Sequence, residues 1–291
     1  MKISGFTFIR NALKYDYPIV EAITSILPIC DEFIVAVGKS EDETLQLIKN
    51  MNSSKIKIVE TVWDDNLREG GHLLAAETNK AFKQISKDSD WAFYIQGDEV
   101  IHEKYLPVIH QAMTDYKKDT RIEGLLFNYM HFYGSYDYIA NSRKWYRNEV
   151  RIIRNDAKIY SFRDAQGFQK NGRPLKVKKV MAYVYHYGWV KPPELQQAKQ
   201  ESFHKMWHSD DWVKKNIPQS ETFDYSKIDS LTFFRDTHPE VMKPRIEAKN
   251  WQFSFDPTKG IQPSLRYRIL NWIQKNMGWK IGEYRNYKIV K

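Results

Sequence analysis

Two adjacent carboxylates, Asp98 and Glu99, follow a run of residues suited to a buried β-strand in the sequence WAFYIQGDEV. Burying an unpaired carboxylate is costly, so these side chains must lie where water, a cation or a basic group reaches them. The end of a strand at the edge of a sheet is such a place. Carboxylates there can hold a divalent ion, or they can cap the helix that we predict over residues 102–116.

The elements that must position these acids alternate between strand and helix over the first hundred residues. Apolar periodicity predicts strands at residues 3–9, 32–37, 56–62 and 91–95, with helices that begin near Pro18, Ser40 and Leu73. Repeated βα units of this length imply an α/β fold with a largely parallel sheet and helices on both faces. Ligands bind beyond the carboxyl ends of such strands, and Asp98 lies there.

Polar residues and glycine also follow the other three predicted strands, at the same edge of the sheet: Arg10 and Asn11, Gly38 to Ser40, and Asp64 and Asp65. Arg10 suits a phosphate contact and a surface ion pair equally well. The triplet at Gly38 resembles the end of a phosphate-binding loop, but that motif needs a glycine where this chain has Phe33. We therefore predict no P-loop.

Length and composition limit the class of protein. The 291 residues, 42% of them hydrophobic, suffice for one large domain or a medium domain with an appendage. No run approaches the ~18 apolar residues of a membrane span, the N-terminus lacks a signal-peptide pattern, and Cys30 is the single cysteine. We expect a cytoplasmic protein.

The formal net charge of +9 fits a polyanion, an anionic membrane surface or a phosphate-bearing substrate. The basic residues are spread along the chain without a recognisable nucleic-acid module. We therefore predict no nucleic-acid partner.

Beyond Gly124 the pattern changes to strand-like segments rich in aromatic residues. The segment WYRNEVRIIR combines aromatic faces, which suit sugar stacking, with Arg147 and Arg151, which suit anionic groups. Strand packing alone also explains its alternation. The pair Pro192-Pro193 marks a boundary, after which helical and loop segments follow.

The chain ends in a basic amphipathic stretch. Its predicted helix places four apolar residues on one face and adds three charges: Leu265, Ile269, Trp272 and Ile273, with Arg266, Arg268 and Lys275. Such a helix docks on the rest of the protein or lies on an anionic membrane, and we predict docking because amphipathic helices usually face a core.

The order of these features resembles the family 2 glycosyltransferases, which have the GT-A fold. Those enzymes begin with a strand that ends near a basic residue and Asn, here FIRN, and continue with a pattern that here reads DEFIVAVGKSEDET. The resemblance is completed by Trp63 after the third strand, a helix that ends around Asn79, and an Asp-x-Asp-Glu motif, here QGDE. It covers residues 3–103 and extends more loosely to Trp189.

The resemblance implies a mixed sheet flanked by helices and three parts of the chain: a donor half in residues 1–123, an acceptor half in 124–191, and a helical accessory region in 192–291. It implies transfer of a sugar, with inversion, from a nucleoside-diphosphate sugar to a hydroxyl of a glycan, a lipid-linked molecule or a protein. It also implies Mn²⁺ or Mg²⁺ held by Asp98, Glu99 and His186, although His186 equally suits a hydrogen-bonded core histidine. The implied donor-binding residues are Arg10, Val37, Gly38, Ser40, Gly71, Gln96, Gly97 and Asp98.

Two departures from the family pattern leave other functions open. Val37 stands where the family has an acid that contacts the donor's base or ribose, and Gln96 stands where it has the first Asp of the acidic motif. An amide is a poor metal ligand. A non-catalytic protein that binds carbohydrate or polyanions fits these departures. A nucleotidyltransferase on a similar sheet is a further alternative, although no glycine-rich triphosphate loop follows the first strand.

An inverting transfer needs a carboxylate that takes the acceptor proton. The candidates are Asp164, in FRDAQGF, and Glu149, before VRIIR. We predict that Asp164 is the base, because it lies in a loop with small neighbours. We expect Arg147 and Arg151 to favour the ionised form of Glu149 and so to lower its basicity.

Overall fold

The computed structural model describes residues 1–67, 69–217, 220–256, 264–278 and 280–291, without the side chains of Asp65, Glu69 and Lys275. Two predicted contributions, the carboxylate of Asp65 and the charge of Lys275, therefore lie outside the described part of the chain.

The strands of the described residues, in chain order, are β1 Ile3–Ile9, β2 Glu32–Gly38, β3 Ile56–Thr61, β4 Trp91–Tyr94, β5 Glu99–Ile101, β6 Gly124–Tyr133, β7 Ser135–Ala140, β8 Asn148–Arg154, β9 Ile159–Phe162, β10 Gly167–Lys170, β11 Arg173–Trp189, β12 Leu231–Phe233 and β13 Tyr287–Ile289. The α-helices are α1 Ile19–Ile26, α2 Thr44–Lys49, α3 His72–Phe82, α4 Leu106–Tyr116, α5 Pro193–Lys205, α6 Asp210–Asn216, α7 Lys243–Glu247 and α8 Leu265–Met277.

These strands form one mixed sheet with the order β3-β2-β1-β4-β8-β6-β11-β10-β9. Strands β3, β2, β1 and β4 are parallel, whereas β8 runs antiparallel between β4 and β6. The predicted α/β class, with a mixed sheet flanked by helices, is confirmed. The carboxyl ends of the four parallel strands meet at one edge.

Helices cover both faces of the sheet. Alternate residues of a strand point to opposite faces, and Phe33 and Ile34 of β2 accordingly belong to different apolar clusters. Ile23 of α1 and Ile109 of α4 pack in the first cluster, and Phe82 of α3 packs in the second. This packing fixes the strand ends from which the polar residues project.

The region after residue 191 is only partly the helical appendage that the sequence predicts. It contains α5 to α8, but β12 pairs with β7 and β13 pairs with β11. Two of its short strands thus extend the main sheet, so the region is integrated with the rest of the fold.

Helix α8 docks on the protein, as predicted, but through its polar side. Arg143 donates hydrogen bonds to the Leu270 carbonyl and to Gln274 Oε1, and the Tyr267 hydroxyl donates to Asp229. The predicted contact face is instead largely exposed, with Leu265, Ile269 and Trp272 at 71%, 53% and 63%. None of the helices in the described ranges combines the length and apolar composition that a membrane crossing requires.

Candidate functional site

A cleft of about 720 Å³ opens at the carboxyl edge of the parallel strands. Its lining combines residues from β1, from the turn after β4, from β11, from the loop before β10, and from α5. The polar side chains that matter for chemistry are Arg10, Gln96, Asp98, Asp164, His186 and Lys199. This is the edge at which the sequence predicts ligand binding.

Asp98 is paired with a lysine at the wall of this cleft. Lys199 Nζ donates to Asp98 Oδ2 at 3.0 Å and to the Gly188 carbonyl at 2.8 Å. Burial alone would raise the pKa of the Asp98 carboxyl, but the ammonium groups of Lys199 and Lys191 oppose this and hold the pKa well below its usual range. Asp98 is therefore a carboxylate with a lysine counter-ion.

A second lysine lies close behind the first. Lys191 is fully buried, donates to the Asp16 carbonyl at 2.6 Å and lies 4.8 Å from the centre of the Tyr17 ring. Lys199 Nζ lies 5.0 Å from the same ring centre. Burial, together with the charge of Lys199, lowers the pKa of Lys191 to about 7. The Tyr17 ring thus lies beside the nitrogens of both lysines, and Lys191 carries only part of its positive charge at pH 7.

Gly188 makes this arrangement sterically feasible. A Cβ at this position would lie 2.6 Å from Asp98 Oδ2 and 2.8 Å from His186 Nε2. Any other residue would therefore displace one of these two side chains. The glycine of HYGW is explained by this close approach, and not by a special backbone angle.

His186 is held by a second buried histidine. His186 Nδ1 lies 3.1 Å from His131 Nδ1, and His131 Nε2 lies 2.8 Å from the Tyr146 carbonyl. Burial lowers the pKa of both rings, so both are neutral at pH 7. The carbonyl requires a proton on His131 Nε2, so His186 Nδ1 donates to His131 and the lone pair of His186 Nε2 faces Asp98, 3.7 Å away.

Glu99 points away from Asp98 and does not line the cleft. Its oxygens accept hydrogen bonds from Arg151 Nε at 2.8 Å, Arg151 Nη2 at 2.7 Å and the Tyr129 hydroxyl at 2.7 Å. A carboxylate that is satisfied in this way has little capacity left for a metal ion. The prediction of Glu99 as a metal ligand is therefore corrected.

The predicted metal centre is not assembled by these residues. In the described part of the chain, no group of three or more His, Cys, Asp and Glu side chains is arranged to hold an ion. Asp98 and His186 are adjacent, but the Lys199 ammonium bonds the same Asp98 oxygen that an ion would need. The residues do not fit a divalent cation in this arrangement.

Of the predicted donor-binding residues, Arg10, Gln96, Gly97 and Asp98 line the cleft. The Arg10 guanidinium lies 5.3 Å from the ring centre of Trp63, which also lines the cleft. Arg10 Nε and Trp63 Nε1 are both buried, and neither has an acceptor among the described residues. Both donors are shielded from solvent, and Trp63 Nε1 lies against Gly38. The part-exposed Arg10 side chain is therefore the group of this pair that a ligand in the cleft can reach.

The other four predicted donor-binding residues support the cleft from behind and do not belong to its described lining: Val37, Gly38, Ser40 and Gly71. Val37 lies in the apolar core, because its strand is buried on both faces. The Ser40 hydroxyl accepts from the Asn11 amide and donates to the Gly38 carbonyl, which fixes the loop after β1.

The two glycines of this set leave room for neighbouring side chains. A Cβ on Gly38 would lie 2.3 Å from Trp63 Nε1. Gly71 has a φ of +74°, precedes α3, and would place a Cβ 3.0 Å from Asp164. Both glycines therefore position cleft residues instead of contacting a ligand themselves.

Asp164 lines the cleft on the side of the loop before β10. Its neighbours Arg163 and Ala165 both have left-handed backbones, with φ of 54° and 61°, a conformation that L-residues adopt rarely. Burial raises the pKa of the Asp164 carboxyl. A strained loop thus presents a carboxylate of increased basicity to the cleft.

Glu149 lies in the protein interior, outside the described lining of the cleft. It accepts hydrogen bonds from Gln166 Nε2 at 2.8 Å and Asn286 Nδ2 at 2.9 Å, and burial raises its pKa to about 8. Arg151 does lower this pKa, as the sequence predicts, but burial has the larger effect. The predicted net decrease in the basicity of Glu149 is therefore wrong.

The sequence interpretation missed Lys191 and Lys199. They lie 93 and 101 positions after Asp98, in a segment assigned to the boundary and the accessory region. The available signal was local: the two lysines flank the start of α5, immediately after the HYGW segment that contains His186. Lysines that closely follow a predicted site residue in the sequence indicate cationic groups at the same site.

No protein-family model matches the sequence, and a comparison with curated protein sequences finds no match. Among solved structures, the chain is similar to residues 1–349 of S. aureus TarS in complex with UDP, with 17% identity and a TM-score of 0.42 over 76% of this chain and 68% of that chain. The chain spans 39% of the longer TarS structure.

The chain is also similar to glucosyl-3-phosphoglycerate synthase from Mycobacterium tuberculosis in complex with Mn²⁺, UDP and phosphoglyceric acid, with 19% identity and a TM-score of 0.30 over 45% of this chain and 43% of that chain. A third match is 4-diphosphocytidyl-2C-methyl-D-erythritol synthase from Anaerococcus prevotii, with 11% identity and a TM-score of 0.31 over 53% and 70%. Similarities of this size assign neither a family nor an activity to this chain.

Proposed function

We propose that the protein is a glycosyltransferase that moves a sugar from a nucleoside-diphosphate sugar to an acceptor hydroxyl. The observation that carries the proposal is the presence of fixed cationic side chains in the lining of the cleft. Arg10 and Lys199 both line the cleft, and Lys199 is held there by Asp98. A diphosphate supplies the negative charge and the acceptor oxygens that a guanidinium and an ammonium bind.

The position of these groups suits the leaving diphosphate. Arg10 follows β1 and Asp98 follows β4, so both lie at the edge where open α/β sheets bind ligands. As the bond from the sugar to the diphosphate breaks, negative charge grows on the departing oxygen. Cations already in place stabilise that charge without reorganisation.

We assign to Asp164 the role of general base, which takes the proton from the acceptor hydroxyl. Its carboxylate takes the proton of the acceptor hydroxyl, whose oxygen then bonds the anomeric carbon of the donor. The bond between that carbon and the diphosphate breaks, and its electron pair leaves with the diphosphate. Attack from the opposite side inverts the anomeric configuration. A base with a raised pKa suits this role.

Aromatic side chains line the remaining cleft wall and suit a sugar acceptor. Tyr146 and Trp189 come from the second half of the chain, and Phe203 comes from α5. Flat aromatic faces stack against the apolar faces of sugar rings. The acceptor class that we propose is a glycan, or a sugar carried on a lipid or a protein.

The proposal includes a peripheral contact between α8 and an anionic membrane. The helix is fixed to the protein by Arg143 and Tyr267, and its apolar face points outward. The exposed residues Arg266 and Arg268 match the charge of such a surface. This contact would bring a lipid-linked acceptor close to the enzyme.

A thermal-shift panel tests the proposed function. We expect at least one of UDP, GDP, CDP and dTDP, or its sugar conjugate, to stabilise the protein by ~2.7 kcal/mol at a hundred times its dissociation constant. The matching sugar conjugate should then release nucleoside diphosphate when acceptor is supplied. A shift with nucleoside triphosphates alone would indicate a nucleotidyltransferase, and a shift with glycans alone would indicate a non-catalytic binding protein.

A further inference from the structure

We propose that Lys199 is the cation that binds the donor diphosphate, so that the protein binds nucleoside diphosphates without a divalent metal ion. This inference rests on the proposed function of the cleft and identifies the positive charge which that function needs. It replaces the metal ion that the sequence resemblance implies.

The first argument is the geometry of the Lys199 ammonium group. An ammonium has three donors, and two of them are used, by Asp98 Oδ2 at 3.0 Å and by the Gly188 carbonyl at 2.8 Å. Within the described ranges the third has no acceptor. The two bonds fix Nζ at the cleft wall, which leaves one strong donor for a phosphate oxygen.

The second argument is the balance of charge around Asp98. The charge of Glu99 is neutralised by Arg151 in the interior. Asp98 has Lys199 as its hydrogen-bonded counter-ion, with Lys191 farther inside the protein, and Arg10 lines the same cleft. A divalent ion at Asp98 would meet the charge repulsion of the Lys199 ammonium on the same carboxylate oxygen, whereas a diphosphate oxygen is attracted by that ammonium.

The third argument is the origin of Lys199 in a rigid element. It projects from the second turn of α5, and the Tyr17 ring lies beside its ammonium group, 5.0 Å from Nζ to the ring centre. Asp98 is then a positioning residue, because its carboxylate holds the ammonium at the cleft wall. A preorganised cation of this kind serves the role that a bound metal ion has at a leaving diphosphate.

Calorimetric titration of UDP, GDP, CDP and dTDP tests the inference, first in EDTA and then in Mn²⁺. For the nucleotide that binds, we expect the dissociation constants in EDTA and in Mn²⁺ to agree within about twofold. Lys199→Met should weaken binding by about tenfold or more, since it removes a charge-assisted hydrogen bond. Lys199→Arg should retain most of the affinity, because the charge remains.

Lys214→Met is the matched control, because Lys214 is an exposed lysine on α6 outside the described lining of the cleft. It should bind as the wild type does. If Lys199→Met is poorly folded, the double variant Lys199→Met/Asp98→Asn is titrated in place of the single variant. The second substitution removes the buried charge that Lys199→Met leaves unpaired. Circular dichroism checks the fold of each variant.

Each outcome has a distinct meaning. Binding that requires Mn²⁺ would overturn the inference and leave the proposed function intact. Wild-type affinity in the Lys199→Met variant, or in the double variant, would also overturn it. If no nucleoside diphosphate binds in either buffer, the proposed function is wrong, and the inference falls with it.

Discussion

Arg151 and Glu99 form a bidentate ion pair: Nε donates to Oε2 at 2.8 Å and Nη2 donates to Oε1 at 2.7 Å. Both side chains are shielded from solvent. The backbone amide of Gln96 donates to the same carboxylate at 3.1 Å. These hydrogen bonds therefore connect the turn between β4 and β5 to strand β8. This connection turns Glu99 into the interior and leaves Asp98 at the cleft.

The buried pair predicts strong destabilisation when one partner is removed. Glu99→Gln or Arg151→Met should each lower the free energy of unfolding by ~3–5 kcal/mol, because the remaining charge is buried without compensation. Equilibrium urea unfolding measures this. The double variant Glu99→Leu/Arg151→Met should recover much of the loss. Two single variants as stable as the wild type would contradict the structural role.

Asp98→Asn tests the positioning of Lys199. The amide keeps the shape of the side chain but removes the charge that anchors the ammonium, so we expect turnover to fall by ~10²-fold or more with the fold retained. Asp88→Asn is the control, because Asp88 is an exposed acid that pairs with Lys2 at the opposite edge of the sheet. Steady-state rates and melting temperatures distinguish the effects. A fully active Asp98→Asn would exclude the role.

Asp164→Asn tests the assignment of the base. We expect kcat to fall by ~10²-fold or more with little change in donor affinity, since a general base acts in the transition state. Glu149→Gln should retain activity, because Glu149 lies in the interior, outside the described lining of the cleft. Single-turnover rates with the donor identified above provide the measurement. A dead but folded Glu149→Gln beside an active Asp164→Asn would exchange the two roles.

Glu149 also predicts a dependence of stability on pH. Burial raises its pKa to about 8 in the folded protein, above the ordinary value of 4.5 for a glutamate in water. Between these values the folded state holds a proton that the unfolded state has released, so the free energy of unfolding falls as the pH rises, by at most ~1.4 kcal/mol per pH unit. The contribution is fully present below pH 4.5 and is lost through pH 8.

Urea unfolding at several pH values, for the wild type and Glu149→Gln, tests this dependence. The amide cannot titrate, so the variant should lose the part of the slope that Glu149 contributes. Parallel curves for the two proteins would show that Glu149 is ionised in the folded state, contrary to the effect of its burial.

The sequence predicts the parts of this molecule that depend on local pattern. The strands at residues 3–9 and 32–37 agree closely with β1 Ile3–Ile9 and β2 Glu32–Gly38, because continuous apolar runs mark buried parallel strands. The edge at which the polar residues gather also follows from the βα order. Arg10 and Asp98 are placed at the cleft for this reason.

The orientation of side chains within that edge depends on distant partners. Glu99 pairs with Arg151, 52 positions away, and Asp98 pairs with Lys199, 101 positions away. Adjacent acids in one motif thus have opposite surroundings, one in the interior and one at the cleft. No local pattern separates them, since the difference arises from tertiary packing of β8 and α5 against the same turn.

The exposed face of α8 predicts binding to anionic vesicles. Leu265, Ile269 and Trp272 are 71%, 53% and 63% exposed, while Arg143 holds the opposite side of the helix. We expect sedimentation with phosphatidylglycerol vesicles at low salt, weakening as salt screens the basic residues. Ile269→Glu should abolish it, whereas Met181→Glu, at an apolar side chain 73% exposed on β11, should leave it unchanged. Equal sedimentation of the two variants would show that α8 is not the contact, and no sedimentation of the wild type at low salt would remove the membrane from the proposed function.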